Sequence, residues 1–415
     1  MESLSDKLKS LGVQIGASNL PEPKPKTKNY PVEEIVNGQE VNNPFGSTFL
    51  VRSDYPLDYN HGSIVLSANH NLTIIGEWGK SNILEQIDPQ SIVFLDTETS
   101  GLAGGTGTFA FLVGMGFRTE SGFSVMQLFM RDPSLEQALL AELTRIIDPF
   151  KAVVTFNGKS FDIPLLNTRH ILNSITSPFH ALDHIDLLPL ARRLWRNRLP
   201  SRALGYLETQ ILNVTRTQEE VPGWLVPQIY FDYLRSGDAR SLAGVFYHNA
   251  MDILSLAALF NYVAVLLNNP LDMADLDSLD IIAIARLYEE LGHIENAINY
   301  YELGLQQGLP REFFLQTLLR FALLYRRQGQ WEAAINLWQK AAEYEQIEAC
   351  IELAKYYEHQ ARNYPQAAFW VQCALKSLEN ATITQSERRN LQNELEHRNY
   401  RLVKKRDLSD DKNEA

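Results

Sequence analysis

Asp96 and Glu98 stand two residues apart in SIVFLDTET, and the apolar run before them reads as a buried strand. Side chains alternate along a strand, so these two carboxylates share a face. Two acids on one face of a central strand repel each other and are costly to bury without a cation. For that pair alone, a strand end whose acids face water is the plain alternative. Asp162 follows in FNGKSFDIPLL, at the expected start of a helix, where an acid ordinarily caps the helix or meets its dipole. In YHNAMDILSL, His248 and Asp252 lie four apart on one helical face, with Asn249 three from Asp252. A His–Asp pair at that spacing is ordinarily a surface hydrogen bond. Together, Asp96, Glu98, Asp162 and Asp252 offer four hard oxygen ligands of the kind that suit Mg²⁺ or Mn²⁺.

The elements that must position these residues can be read in order. SIVFLD (91–96), TFAFLVGMGF (108–117) and FSVMQLFM (123–130) are three strands joined tightly enough to be antiparallel. A helix follows from Ser134, with Gln137 as its capping-box partner. AVVTF (152–156) is a fourth strand. A helix after Asp162, a short strand around HALDHID and further helices carry the chain to about Asn268. Strands that return through helices are parallel. The expected fold is therefore α/β, a mixed sheet flanked by helices, over residues 91–270. Before it, residues 1–45 read as a flexible, proline- and lysine-rich arm, and residues 46–90 as a strand-rich extension built on TFLVR, SIVL and LTIIGEW.

After residue 280 the texture is all helical. Tyr288, Gly292 and Ala297 recur as Tyr325, Gly329 and Ala334, and residues 354–375 hold a third, looser copy. A small residue, an aromatic, a turn glycine and an alanine at the crossing form a tetratricopeptide-like helical-hairpin pattern over 280–400. Residues 401–415 are expected to be a frayed tail.

Composition narrows the classes. The 415 residues are 45% hydrophobic and 21% charged, as expected of a largely globular chain. Fifty acids against 38 bases leave a net charge of −12, a poor basis for nonspecific duplex binding. Two cysteines, Cys350 and Cys373, exclude a disulfide framework and a CxxC zinc site. The longest apolar run, Leu254 to Leu267, is too short to span a bilayer, and the N-terminus lacks a secretory pattern. A cytoplasmic protein with no membrane partner is expected.

DxE on the first strand, N-x4-D after the fourth and H-x3-D on a late helix resemble, in that order, the DEDD superfamily of 3′–5′ exonucleases, on an RNase H-like fold. Closer still is the resemblance to the YprB-like ribonuclease H-like family, carried over residues 48–265 by DTETSGLAGGTGTFAFLVG, FNGKSFDIPLL, VPGWLVPQIYFDYL and HNAMDILSL. It implies a metal-dependent nuclease, with a pair of Mg²⁺ or Mn²⁺ ions on Asp96, Glu98, Asp162 and Asp252 cleaving single-stranded DNA or RNA from the 3′ end. His248 is then the group that orients or deprotonates the attacking water. The chain departs from both exonuclease subtypes: it has His at the four-residue offset from the last Asp, where one subtype has Tyr, and Tyr247 at the five-residue offset, where the other has His. Helical geometry favours His248, with Tyr247 the alternative.

By the same resemblance, Thr97 and the glycine loop around Gly105 contact the terminal sugar. Arg192, Arg193 and Arg196 form a phosphate track, joined by Lys159 and Asn157; a solvated arginine face and a turn cap are the plain readings. The repeats are expected to dock a protein partner. A noncatalytic scaffold and a structure-specific endonuclease on the same fold are the alternative functions.

Overall fold

The structure is a computed structural model that describes residues 30–101, 107–216, 221–270 and 276–413. The chain divides into two compact units, one of residues 1–192 and 201–269, the other of residues 193–200 and 270–415.

The first unit begins with a short helix, α1 (Val32–Ile35), then β1 (Gly38–Asn43) and β2 (Gly46–Pro56). β1 lies within the stretch expected to be an arm, and β2 lies within the expected strand-rich extension. β1 pairs antiparallel with β2, and β2 pairs with a strand of the main sheet, so both widen that sheet. Phe49, Leu50 and Val51 alternate too little to show a half-exposed strand, because all three are buried. A small ribbon, β3 (Asn60–His61) and β4 (Ile64–Val65), precedes α2 (Thr73–Gly79). That helix occupies the LTIIGEW run expected to be strand. Burial of Ile74 and Ile75 overrides their β-branched preference.

β5 (Ile92–Thr99), β6 (Ala110–Thr119) and β7 (Gly122–Phe129) form the expected antiparallel meander, followed by α3 (Glu136–Ile147). The cap here is Asp132, whose carboxylate accepts from the Ser134 N–H in the turn before α3; Gln137 donates instead to the Asn173 carbonyl. β8 (Ala152–Thr155), α4 (Asp162–Leu172) and β9 (Asp183–Asp186) complete the sheet, both strands running parallel to β5. The strand order is β1-β2-β7-β6-β5-β8-β9. This is the mixed sheet of an RNase H-like fold, with β5 at the junction of its antiparallel and parallel parts.

Helices α5 (Leu187–Trp195), α6 (Leu204–Gln210), α7 (Val226–Ser236) and α8 (Leu242–Asn268) follow. α8 is 27 residues long, much longer than its apolar run, and passes the length and composition test for a membrane span. Its apolar window is 72% buried within the protein, which accounts for that composition. Ile253 lies against Gly116 of β6, and Phe260 packs edge-on to Phe94 of β5.

The second unit carries α9 (Ser278–Leu291), α10 (Ile294–Gln307), α11 (Arg311–Arg327), α12 (Trp331–Ala342), α13 (Ile347–His359), α14 (Tyr364–Asn380) and α15 (Gln385–Asn413). The turn glycines Gly292 and Gly329 sit at φ 88° and 74°, a left-handed conformation that ends α9 and follows α11. Ala297 and Ala334 are fully buried. The tail is a helix through Asn413 rather than frayed chain, because Leu395 and Leu402 are buried and Glu358 accepts from Arg398, Arg401 and Lys405 at 2.8–2.9 Å.

A carboxylate cluster at the end of the central strand

Asp96 and Glu98 lie on β5, opposite Gly114 and Leu112 of β6, where the register slips between Glu98 and Thr99. Asp162 opens α4, and Asp252 projects from α8 one turn beyond His248. The four influence one another electrostatically. Asp96 feels the charges of Asp252, Glu98 and Asp162, and Glu98 those of Asp252 and Asp162. Ligand atoms of Glu98, His248 and Asp252 lie within 4.8 Å of one another. His248 Nε2 is 3.4 Å from Asp252 Oδ2 and 3.8 Å from Glu98 Oε1.

Burial first, and then mutual repulsion, hold the carboxyls of Asp96 and Glu98 well above the usual range. Burial likewise raises Asp162 and Asp252, against opposing contacts from Thr97 and Arg216 respectively. Four acids converging in a partly buried pocket are an oxygen donor set suited to a hard divalent cation, whose charge would relieve the repulsion. The residues therefore fit Mg²⁺ or Mn²⁺.

The raised carboxyls tie stability to pH. The folded chain binds these protons more tightly than the unfolded chain, so the stabilisation is full below ordinary carboxylate values and is lost as pH rises through the raised ones. An Asp96→Asn/Glu98→Gln variant lacks the part of this linkage that Asp96 and Glu98 contribute. Without metal, the melting temperature of the wild type relative to the variant should fall between mildly acidic and neutral pH. A constant difference across that range would mean that the carboxyls of Asp96 and Glu98 are not raised in the folded chain.

The other expected site residues are placed unevenly. Thr97 donates its hydroxyl hydrogen to Asp162 Oδ1 at 2.5 Å and so holds that acid. Asn157 takes a left-handed φ of 70°, and the N–H groups of Asn157 and Lys159 donate to Asp186 at 2.7 and 3.1 Å. Asp186 thus shapes the loop leading to Asp162.

Arg192 and Asn157 line a groove of about 450 Å³ with Phe156, Leu188, Arg202 and Leu204. Arg193 and Arg196 belong to the other compact unit, where Arg193 pairs with Glu290 at 2.5 Å. Of the arginines in this stretch, Arg192 and Arg202 line one groove within the first unit. Gly105 lies outside the described residues. Tyr247 lies close enough to Tyr59 to raise the phenol of the latter, although burial is the larger cause.

Two groups of site residues carry no motif. Arg216, in the sequence NVTRTQ, ion-pairs with Asp252 and with Glu208, its Nε reaching Glu208 Oε2 at 2.6 Å. Glu208 is 1% exposed. Arg216 also contacts His248 Nδ1 at 3.2 Å. A guanidinium only donates, so Nδ1 accepts and the neutral ring carries its hydrogen on Nε2, facing the acids. Asn249 donates from Nδ2 to Asp96 Oδ2 at 2.9 Å, and Gln127 donates to Asn249 Oδ1 at 2.9 Å. The only sequence signal was the position of Asn249 beside His248; Arg216 and Gln127 had none. Two further histidines are hydrogen-bonded elsewhere, His61 to Ser255 and His184 to Thr155.

A family model of the RNase H superfamily matches residues 93–264, which contain all four acids. The uncharacterized protein YprB of Bacillus subtilis (strain 168) is 32% identical over 343 residues, covering 80% of this chain and 81% of YprB. Among solved structures, the family B DNA polymerase of the hyperthermophilic archaeon Pyrobaculum calidifontis is similar over 48% of this chain, at 15% identity and a TM-score of 0.31. This chain spans 28% of that polymerase. With YprB aligned over most of both chains and the superfamily match centred on the acidic cluster, the chain belongs to the YprB family of the RNase H superfamily.

Proposed function

We propose that the protein is a metal-dependent nuclease, acting as a 3′–5′ exonuclease on single-stranded DNA or RNA. Membership of the RNase H superfamily points to nuclease chemistry in general. The observation that carries the narrower reading is the convergence of Asp96, Glu98, Asp162 and Asp252, each acid sensed by another. Those four residues are the ligands in this reading. A bound pair of Mg²⁺ or Mn²⁺ ions would supply the positive charge that polarises a phosphodiester and makes water a stronger nucleophile near neutral pH.

The chain's own groups do the rest. Thr97 holds Asp162, and Arg216 holds Asp252, so the acids face one point before substrate arrives. His248, with its hydrogen on Nε2, suits the orientation of an attacking water or a phosphate oxygen better than removal of a proton through that nitrogen. The groove at Phe156, Asn157, Arg192 and Arg202 suits a single strand, with an aromatic ring for a base and guanidinium groups for the backbone. In the same reading, the C-terminal helices are tetratricopeptide-like repeats that dock a protein partner. Their turn glycines and buried alanines, repeated at one spacing, support it.

The test is digestion of 5′-labelled single-stranded DNA and RNA with Mg²⁺ or Mn²⁺. A ladder shortening from the 3′ end is expected, absent when the metal is chelated. Internal cuts would replace the exonuclease with an endonuclease. Absence of both cleavage and metal binding would leave a scaffold on a nuclease fold.

A further inference from the structure

We infer that Asn249, held in orientation by Gln127, is a positioning residue for Asp96, and that this relay sets the metal affinity of the acidic cluster. The inference rests on the metal-dependent reading above. Its basis is a single row across the sheet. Asp96 on β5 pairs with Gly114 on β6, and Gly114 pairs with Gln127 on β7. Neighbouring strands lie about 4.8 Å apart, so Asp96 and Gln127 are two strand spacings from each other, too far to bond directly. Asn249 descends from α8 into the gap. Its amide lies over Gly114 and joins the two ends, accepting from Gln127 and donating to Asp96.

Gly114 is what admits the amide. A Cβ at that position would stand 2.3 Å from Asn249 Oδ1 and 2.9 Å from Nδ2. The glycine is required here for space, since no unusual backbone angle demands it.

The direction of the relay follows from its far end. Gln127 Nε2 also donates to the Phe246 carbonyl at 2.8 Å, and a carbonyl only accepts. The nitrogen of Gln127 must therefore face α8, which turns Asn249 Oδ1 towards it and Nδ2 towards Asp96. Asn249 is fully buried and Gln127 is 3% exposed, so neither amide has water as a ready substitute. The bond to a carboxylate is charge-assisted, and it constrains the rotation of the Asp96 carboxylate. An acid held in one orientation presents the same oxygen to a cation each time, as outer partners do for metal ligands generally.

The test measures the Mn²⁺ dissociation constant of the full chain by electron paramagnetic resonance, beside the unfolding midpoint in chelator. Asn249→Ala removes the donor, Gln127→Met removes only its orienting partner, and Gly114→Ala displaces the amide without altering it. Each is expected to weaken Mn²⁺ binding, Asn249→Ala by roughly 10- to 100-fold. The Asn249→Ala/Gln127→Met pair should be little worse than Asn249→Ala, because both act through one bond. A purely structural role would lower the unfolding midpoint and leave the dissociation constant of the folded protein unchanged, overturning the inference. If Asn249→Ala does not fold, unchanged affinity in Gln127→Met overturns it equally. A wild type that binds no Mn²⁺ would remove the metal reading itself, a result distinct from equal affinities in wild type and variants.

Discussion

Asp96→Asn is expected to lower metal-dependent cleavage by at least about 10³-fold, the upper loss typical of removing one preorganised charge-stabilising group, while leaving the metal-free fold at least as stable as wild type. The two halves of this expectation have one cause. Asp96 is the acid whose ionisation is opposed by burial and by all three other carboxylates. An amide of the same shape ends that repulsion and can still accept from Asn249. It also removes a negative oxygen that stands in the electrostatic reach of Glu98, Asp162 and Asp252. Cleavage of labelled single strands and thermal unfolding in chelator measure the two effects. A variant that kept a tenth or more of wild-type cleavage would take Asp96 out of the reaction. One that lost both activity and fold would show that Asp96 supports the structure.

The largest effect on stability is expected at Arg216. Its guanidinium is 10% exposed and serves Glu208, at 1% exposure, and Asp252 together. Removing one partner of a buried ion pair strands the other, at a cost of about 3–5 kcal/mol. Arg216→Met strands two acids and removes the cation nearest the cluster, so the upper part of that range is expected in urea denaturation. Adding Glu208→Gln should recover much of the loss, because the most deeply buried charge is then gone. A change within about 0.5 kcal/mol for the single variant would place Arg216 among ordinary surface residues. Its acids would then be stabilised by something other than the ion pair.

What could be read from the chain and what could not divide along a physical line. The meander of β5, β6 and β7, the parallel β8 and β9 and the helices between them announce themselves by local period, since burial on one face or two imposes a pattern on neighbouring residues. The four acids were legible for a similar reason. Each sits within a short segment, at a strand end or on one helical turn, where spacing alone tells which way a side chain points.

Errors arose where a distant segment decided the local state. LTIIGEW has the composition of a strand but forms α2, because Ile74 and Ile75 are buried. β1 was taken for an arm, since an edge strand carries few apolar residues and is recognised by its partner β2. The final residues read as frayed, yet Glu358, some forty positions earlier, gathers Arg398, Arg401 and Lys405 and continues the helix.

The partners of the acids belong to the same class. Arg216 comes from a loop with no motif, Gln127 from a strand two places along the sheet from Asp96, and Asn249 from a helix more than 150 residues beyond Asp96. A side chain's type and local face are written in its own segment, so the sequence by itself determined the fold class and singled out the four acids as candidates. The groups that orient those acids and balance their charge depend on which segments fold against them. That was decided only in three dimensions, where burial makes every unpaired polar atom costly.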